Sequence, residues 1–93
     1  MTTMTQQDFE AALKAENYPE VVNINKDVGY QMGEHTHAFD AYALILTGEI
    51  TLTVNGVAAT YKAGETFRLA ANTPHLESAL SSGVNYLVGR RRV

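Results

Sequence analysis

Residues 29–48 read GYQMGEHTHAFDAYALILTG, and this stretch decides both the class of fold and the place to look for chemistry. His35 and His37 stand two apart in it, and residues two apart on a β-strand project from the same face. Two imidazoles on one face begin a metal site. The third and last histidine, His75, lies in GETFRLAANTPHLES at residues 64–78, so a metal reading needs a fold that lays a second strand beside the first. The same stretch contains AYALIL at residues 41–46, which is apolar on both faces. A strand of a two-layer domain is apolar on its outer side only if something covers it. The amphipathic N-terminal segment or the same surface of a second subunit would do so, and the expectation is a homodimer.

Working outward, short runs rich in Val, Ile, Thr and Tyr alternate with Gly and Asn on either side. They predict strands over 21–24, 30–37, 41–47, 49–54, 57–61, 66–69, 75–80 and 84–88, eight in all. Ile50, Leu52 and Val54 alternate with threonines, so one face of that strand belongs to the core. Asn55-Gly56 between alternating runs predicts a type I′ hairpin, because both central residues of that turn need positive φ. Many short strands at this spacing make an all-β sandwich or barrel. Ahead of them, Phe9, Ala12, Leu13 and Glu16 follow helical spacing, Thr5 and Asp8 form a capping pair, and Pro19 ends the helix. The domain reading is one unit over residues 1–93, a helical appendage at 1–18 and a β-barrel at 19–93.

Composition removes whole classes of function. With 93 residues and 45% apolar content, the chain suits a single small core. It has no cysteine, which excludes disulfides, thiolate metal sites and a cysteine nucleophile; a metal must sit on nitrogen and oxygen. A net charge of -3 opposes nucleic-acid binding, and Arg90, Arg91 and Arg92 read as a solvated C-terminal tail. No apolar run has the length of a membrane span, and a cytoplasmic protein is expected. Ser78, Ser81 and Ser82 lack the context of a nucleophile elbow, and no phosphate-binding glycine loop precedes a helix.

The spacing of Gly29, His35, His37, position 41 and Gly48 resembles the first motif of the cupin superfamily, and Gly64, position 70, position 72 and His75 resemble the second. The fifteen residues between Gly48 and Gly64 match the short separation of small cupins. This resemblance implies a double-stranded β-helix, or jelly roll, with a cavity at one end and often a divalent metal in it. The chain departs from the pattern at Ala41, where the family carries its glutamate ligand, and at Ala70, Asn72 and Ala79. Asn72 is a mild change, because Asn tolerates the left-handed conformation that Gly supplies. Asp40 is adjacent to the missing ligand but has the wrong strand parity, and points away from the cavity unless a bulge re-aims it.

The candidate metal ligands are therefore His35, His37 and His75, which suit zinc, iron, nickel or manganese and leave positions open for a small polar organic ligand. Glu77 shares the parity of His75 and is a candidate ligand, hydrogen-bond acceptor or general base; Tyr86 and Tyr61 are candidates to bring hydroxyls to the cavity. Gln31 and Gly33 share the parity of His35 and are expected to line the pocket, while Arg68 either meets an anionic ligand there or lies on the surface. Two functions follow. One is a metal-dependent enzyme of dioxygenase or isomerase type; the other is a non-catalytic cupin that binds or senses a small molecule without a functional metal.

Overall fold

The structure, a computed structural model, describes residues 4–92. Its elements are a helix α1 (Gln6–Ala15) and strands β1 (Glu20–Lys26), β2 (Tyr30–His35), β3 (Phe39–Val54), β4 (Val57–Lys62), β5 (Thr66–Leu69), β6 (His75–Ala79) and β7 (Val84–Arg92). All strand pairs are antiparallel, in the order β1-β7-β3-β6-β2, with β4 and β5 also on β3. The result is the expected jelly roll. Seven strands are present among the described residues where eight are predicted, because the runs at 41–47 and 49–54 form one strand of 16 residues.

That long strand changes sheets partway along. Its first half pairs with β5 and β7 and its second half with β4 and β6. A register shift between Ile45 and Thr47, followed by Gly48 at φ +73°, turns the chain without ending the ladder. Only glycine fits at Gly48: its φ is left-handed, and a Cβ there would collide with the Gly83 carbonyl oxygen. The predicted hairpin forms at Asn55 (φ +52°) and Gly56 (φ +77°) between β3 and β4.

The two faces of AYALIL are both buried, for different reasons. Ala41, Ala43 and Ile45 face the inter-sheet core with Ile50, Leu52 and Phe67. Tyr42 and Leu44 face outward and are covered by Phe9, Leu13 and Tyr18. Thr5 caps α1 by accepting from the Asp8 N–H (3.1 Å), as expected, and Phe9 meets Tyr42 edge-on with ring centroids 5.1 Å apart. The Arg68 guanidinium lies 3.7 Å from the centre of the Tyr42 ring and makes a bidentate pair with Glu16 at 2.8 and 2.9 Å. Arg68 thus lies on the outer surface, holding down the helix end. The chain covers its own sheet, so this apolar face does not call for a second subunit.

Because Phe9 is fully buried between α1 and the sheet, Phe9→Ala is expected to lower unfolding free energy by about 3–5 kcal/mol. Urea denaturation checks it; a loss below about 1 kcal/mol would mean that the helix does not cover Tyr42 in solution.

Candidate metal centre

Strand pairing brings the three histidines together. His35, the last residue of β2, is directly opposite His75, the first residue of β6. His37 lies just past the end of β2 rather than on it, and its carbonyl accepts the Asn72 N–H at 2.7 Å. Asn72 has φ +64°, the left-handed conformation anticipated for it. The corner before β6 is thereby tied to the connection after β2. The ring centroids of the three imidazoles are 4.3 to 5.1 Å apart, and His37 also stacks on Phe39 at 4.9 Å.

All three Nε2 atoms converge on one oxygen of Glu77. Its Oε2 lies 3.0 Å from His75, 3.1 Å from His35 and 3.7 Å from His37. Its other oxygen accepts a hydrogen bond from the Tyr30 hydroxyl at 2.9 Å. The outer nitrogens are committed elsewhere: Nδ1 of His35 donates to the Gly33 carbonyl (2.7 Å) and Nδ1 of His75 to the Thr73 carbonyl (2.8 Å). A carbonyl can only accept, so these bonds place a proton on Nδ1 and leave the Nε2 lone pair of each neutral ring facing inward.

Three lone pairs and a carboxylate aimed at one point repel unless a positive charge lies among them. Two buried imidazolium ions or one divalent cation would supply it. The spacing fits the cation. Bonds of about 2.1 Å to nitrogen and oxygen set neighbouring ligand atoms about 3.0–3.4 Å apart in octahedral or tetrahedral geometry. The four candidate ligand atoms lie within 4.8 Å of one another, and the three contacts of Glu77 Oε2 bracket that spacing.

Burial holds the His37 imidazole below its usual pKa, and the neighbouring His75 and His35 push it the same way against Glu77. Burial alone would raise the Glu77 carboxyl, but the hydrogen bond from Tyr30, with the hydrogen bond from His75 and the charges of His35 and His75 when these carry a second proton, outweighs it and holds the group below the usual value. The site therefore favours an ionised Glu77 carboxylate beside a neutral His37 imidazole, a pair of protonation states suited to metal binding.

The Cupin_2 family, described as a cupin domain, matches residues 25–84. This chain belongs to the Cupin_2 family. No curated protein matches it in sequence. Among solved structures it is similar to a cupin protein from Bacteroides fragilis, at 24% identity and a TM-score of 0.66 over 78% of this chain and 64% of that one. It spans less than two thirds of that protein's length. An RmlC-like cupin family protein with a double-stranded β-helix fold from Methanocaldococcus jannaschii is similar at 24% identity and a TM-score of 0.66, over 77% of this chain and 69% of that one. The Cupin_2 domain of an XRE family transcriptional regulator from Enterobacter cloacae is similar at 18% identity and a TM-score of 0.65, over 78% of this chain and 80% of that one. At these identities the likeness is one of fold.

Other expected site residues fall in different places in this cupin. Tyr86 lines the cavity beside the cluster; its hydroxyl is held protonated chiefly by burial and by the Glu77 charge. Tyr61 instead packs on Phe67 at 5.5 Å and does not line the cavity. Gln31 and Gly33 line a depression on the far side of β2, because a register shift between Met32 and His35 reverses the strand's parity and turns Met32 and Tyr30 inward. Asp40 accepts from the Ala71 N–H (2.9 Å) and from Arg91 (3.0 Å), away from the histidines, as its parity predicts. The C-terminal arginines are not a free tail: Arg91 holds Asp40, and Arg90 lines the cavity. Tyr30, Met32 and Arg90 line the cavity and are residues that pattern reasoning misses.

In metal-free protein, Glu77 is expected to titrate below the usual 4.5, so its contribution to stability is full above that value and is lost as pH falls through the lower folded one. Tyr30→Phe removes the hydrogen bond and raises that titration midpoint. Carbon-13 NMR of the Glu77 carboxyl reads both; an unchanged midpoint in the variant would mean that the phenol does not hold the carboxylate.

Proposed function

We propose that this protein holds a divalent metal ion on His35, His37, His75 and Glu77 and binds a small polar organic molecule beside it. The observation that carries this reading is the convergence of three Nε2 atoms on Glu77 Oε2 while the outer nitrogens of His35 and His75 are satisfied by backbone carbonyls. In this reading Glu77 replaces the carboxylate that the cupin motif carries at position 41, where this chain has Ala41. The carboxylate arrives from β6 instead of β3, at the residue two positions after His75.

The chain's own groups then have defined tasks. The backbone carbonyls of Gly33 and Thr73 orient two of the imidazoles, and the Tyr30 hydroxyl fixes the Glu77 carboxylate, as partners of metal ligands commonly do. Tyr86, neutral and lining the cavity, donates a hydrogen bond to the ligand rather than abstracting a proton from it. The cavity has a volume of ≈ 140 Å³, and apolar side chains including Ile24, Phe67, Leu69 and Val88 line much of its wall. A bound zinc, nickel or manganese ion supplies Lewis acidity toward a ligand oxygen, and a bound iron ion supplies redox chemistry.

Elemental analysis of protein purified without a histidine tag or chelator is expected to find about one divalent ion per chain, lost in His75→Ala. Protons compete for the same lone pairs, so metal affinity falls on acidification below the usual imidazole value of 6.5, later at His37 than at an unperturbed imidazole. Wild-type protein that stays metal-free after incubation with divalent ions would overturn the metal reading and favour a metal-free ligand-binding cupin; metal retention flat from about pH 8 to about pH 5 would exclude histidine ligation.

A further inference from the structure

Three of the four arginines near the sheet have acidic partners: Arg68 holds Glu16, Arg91 holds Asp40, and Arg92 lies 3.6 Å from Glu20. Arg90 has none among the described residues. It projects inward from β7, its guanidinium 4.8 Å from the Phe39 ring, and it lines the same cavity as His35, His37 and Glu77. Its Nε is buried and makes no hydrogen bond. A desolvated guanidinium nitrogen without an acceptor costs free energy that a ligand oxygen would recover.

The residue opposite explains why the acceptor is missing. Arg90 pairs with Ala41 across the β3–β7 ladder, so the two side chains share a face. Position 41 is where the cupin motif carries its carboxylate, which would stand beside Arg90 and neutralise it. With Ala41 there, the nearest acid by register is Glu20 on β1, and its carboxylate engages Arg92 instead. Glu77, the cavity's own carboxylate, is taken up by the histidines and Tyr30. The cavity thus holds a guanidinium in need of a carboxylate at one side and a cluster of metal-ligand type at the other, with Phe39 stacked on His37 and under Arg90 between them.

We infer that Arg90 binds the carboxylate of the ligand and that the molecule held at the proposed metal centre is a small carboxylic acid anion with a second oxygen directed toward the histidines. The planar guanidinium fork matches a carboxylate bidentately, which a lysine would not do. A cavity of ≈ 140 Å³ resembles the roughly 150 Å³ that holds benzene, so the ligand has about six non-hydrogen atoms. This inference rests on the metal-centre reading for the position of the second oxygen, but not for the carboxylate contact.

The test titrates pyruvate and its neutral amide, pyruvamide, into zinc-loaded and into chelator-treated protein, following the Arg90 Nε–H signal by nitrogen-15 NMR. Pyruvate is expected to shift that signal and to bind at least about tenfold more tightly than pyruvamide in both forms. Arg90→Gln removes the preference, Arg90→Lys keeps part of it, and both retain the zinc content of wild type. Lys26→Gln removes the other cation lining the cavity, which sits 5.0 Å over the Tyr30 ring opposite Val84, and leaves the preference intact. Equal affinity for the two compounds, a preference that survives Arg90→Gln, or no pyruvate binding at about 50 mM would each overturn the inference. An Arg90-dependent preference in protein that cannot be loaded with zinc would uphold the carboxylate site and remove the metal centre.

Discussion

One strand belongs to both sheets, and the site exists because of it. β3 carries the inward-facing Ala41, Ala43 and Ile45 in its first half and Ile50 and Leu52 in its second, so a single backbone bend sets how the two sheets face each other. Gly48 makes that bend at a position where a side chain would strike Gly83. On one side of the bend the strand pairs with β7, which presents Tyr86 and Arg90; on the other it pairs with β6, which presents His75 and Glu77. The cavity lies between those two presentations. Its opposed chemistry, guanidinium on one wall and imidazoles on the other, follows from the strand order.

Within the cavity the governing quantity is charge. Glu77 and three imidazoles form a cluster of acceptors, and its neighbours are arranged to keep it so: carbonyls take the outer protons of His35 and His75, and Tyr30 donates to the carboxylate. A buried carboxylate is stable only when its lone pairs are occupied. In the proposed reading Glu77 on β6 supplies the carboxylate that the cupin motif places at position 41, where this chain has Ala41. Arg90, opposite Ala41, has no acidic partner among the described residues.

Much of this was legible in the chain because it depends on local pattern. The hairpin at Asn55-Gly56, the Thr5 cap, the left-handed Asn72, the outward aim of Asp40 and the pairing of His75 with the HxH stretch are all consequences of residue type and spacing. What was not legible depends on departures from regular backbone. A strand that bends at Gly48 without ending looks like two strands, since glycine also marks turns. The shift between Met32 and His35 reverses parity, so Tyr30 and Met32 enter the cavity where Gln31 and Gly33 were expected. Gly33 permits that shift but does not announce it, because an isolated glycine in a strand has several uses. Arg90 was hidden among three consecutive arginines that read as a tail; strand alternation across β7 sends Arg91 outward to Asp40 and puts Arg90 and Arg92 on the Phe39 face, where Arg92 reaches Glu20 at the strand's end and Arg90 lines the cavity.

The chemistry of this cavity turns on where a metal ion sits. The most direct measurement is a crystal structure of the protein grown with cobalt or nickel, with anomalous diffraction collected across the absorption edge. One strong anomalous peak is expected, bonded to Nε2 of His35, His37 and His75 and to Oε2 of Glu77. An ion bound elsewhere, or a histidine cluster that stays closed on Glu77 with no peak, would contradict this placement.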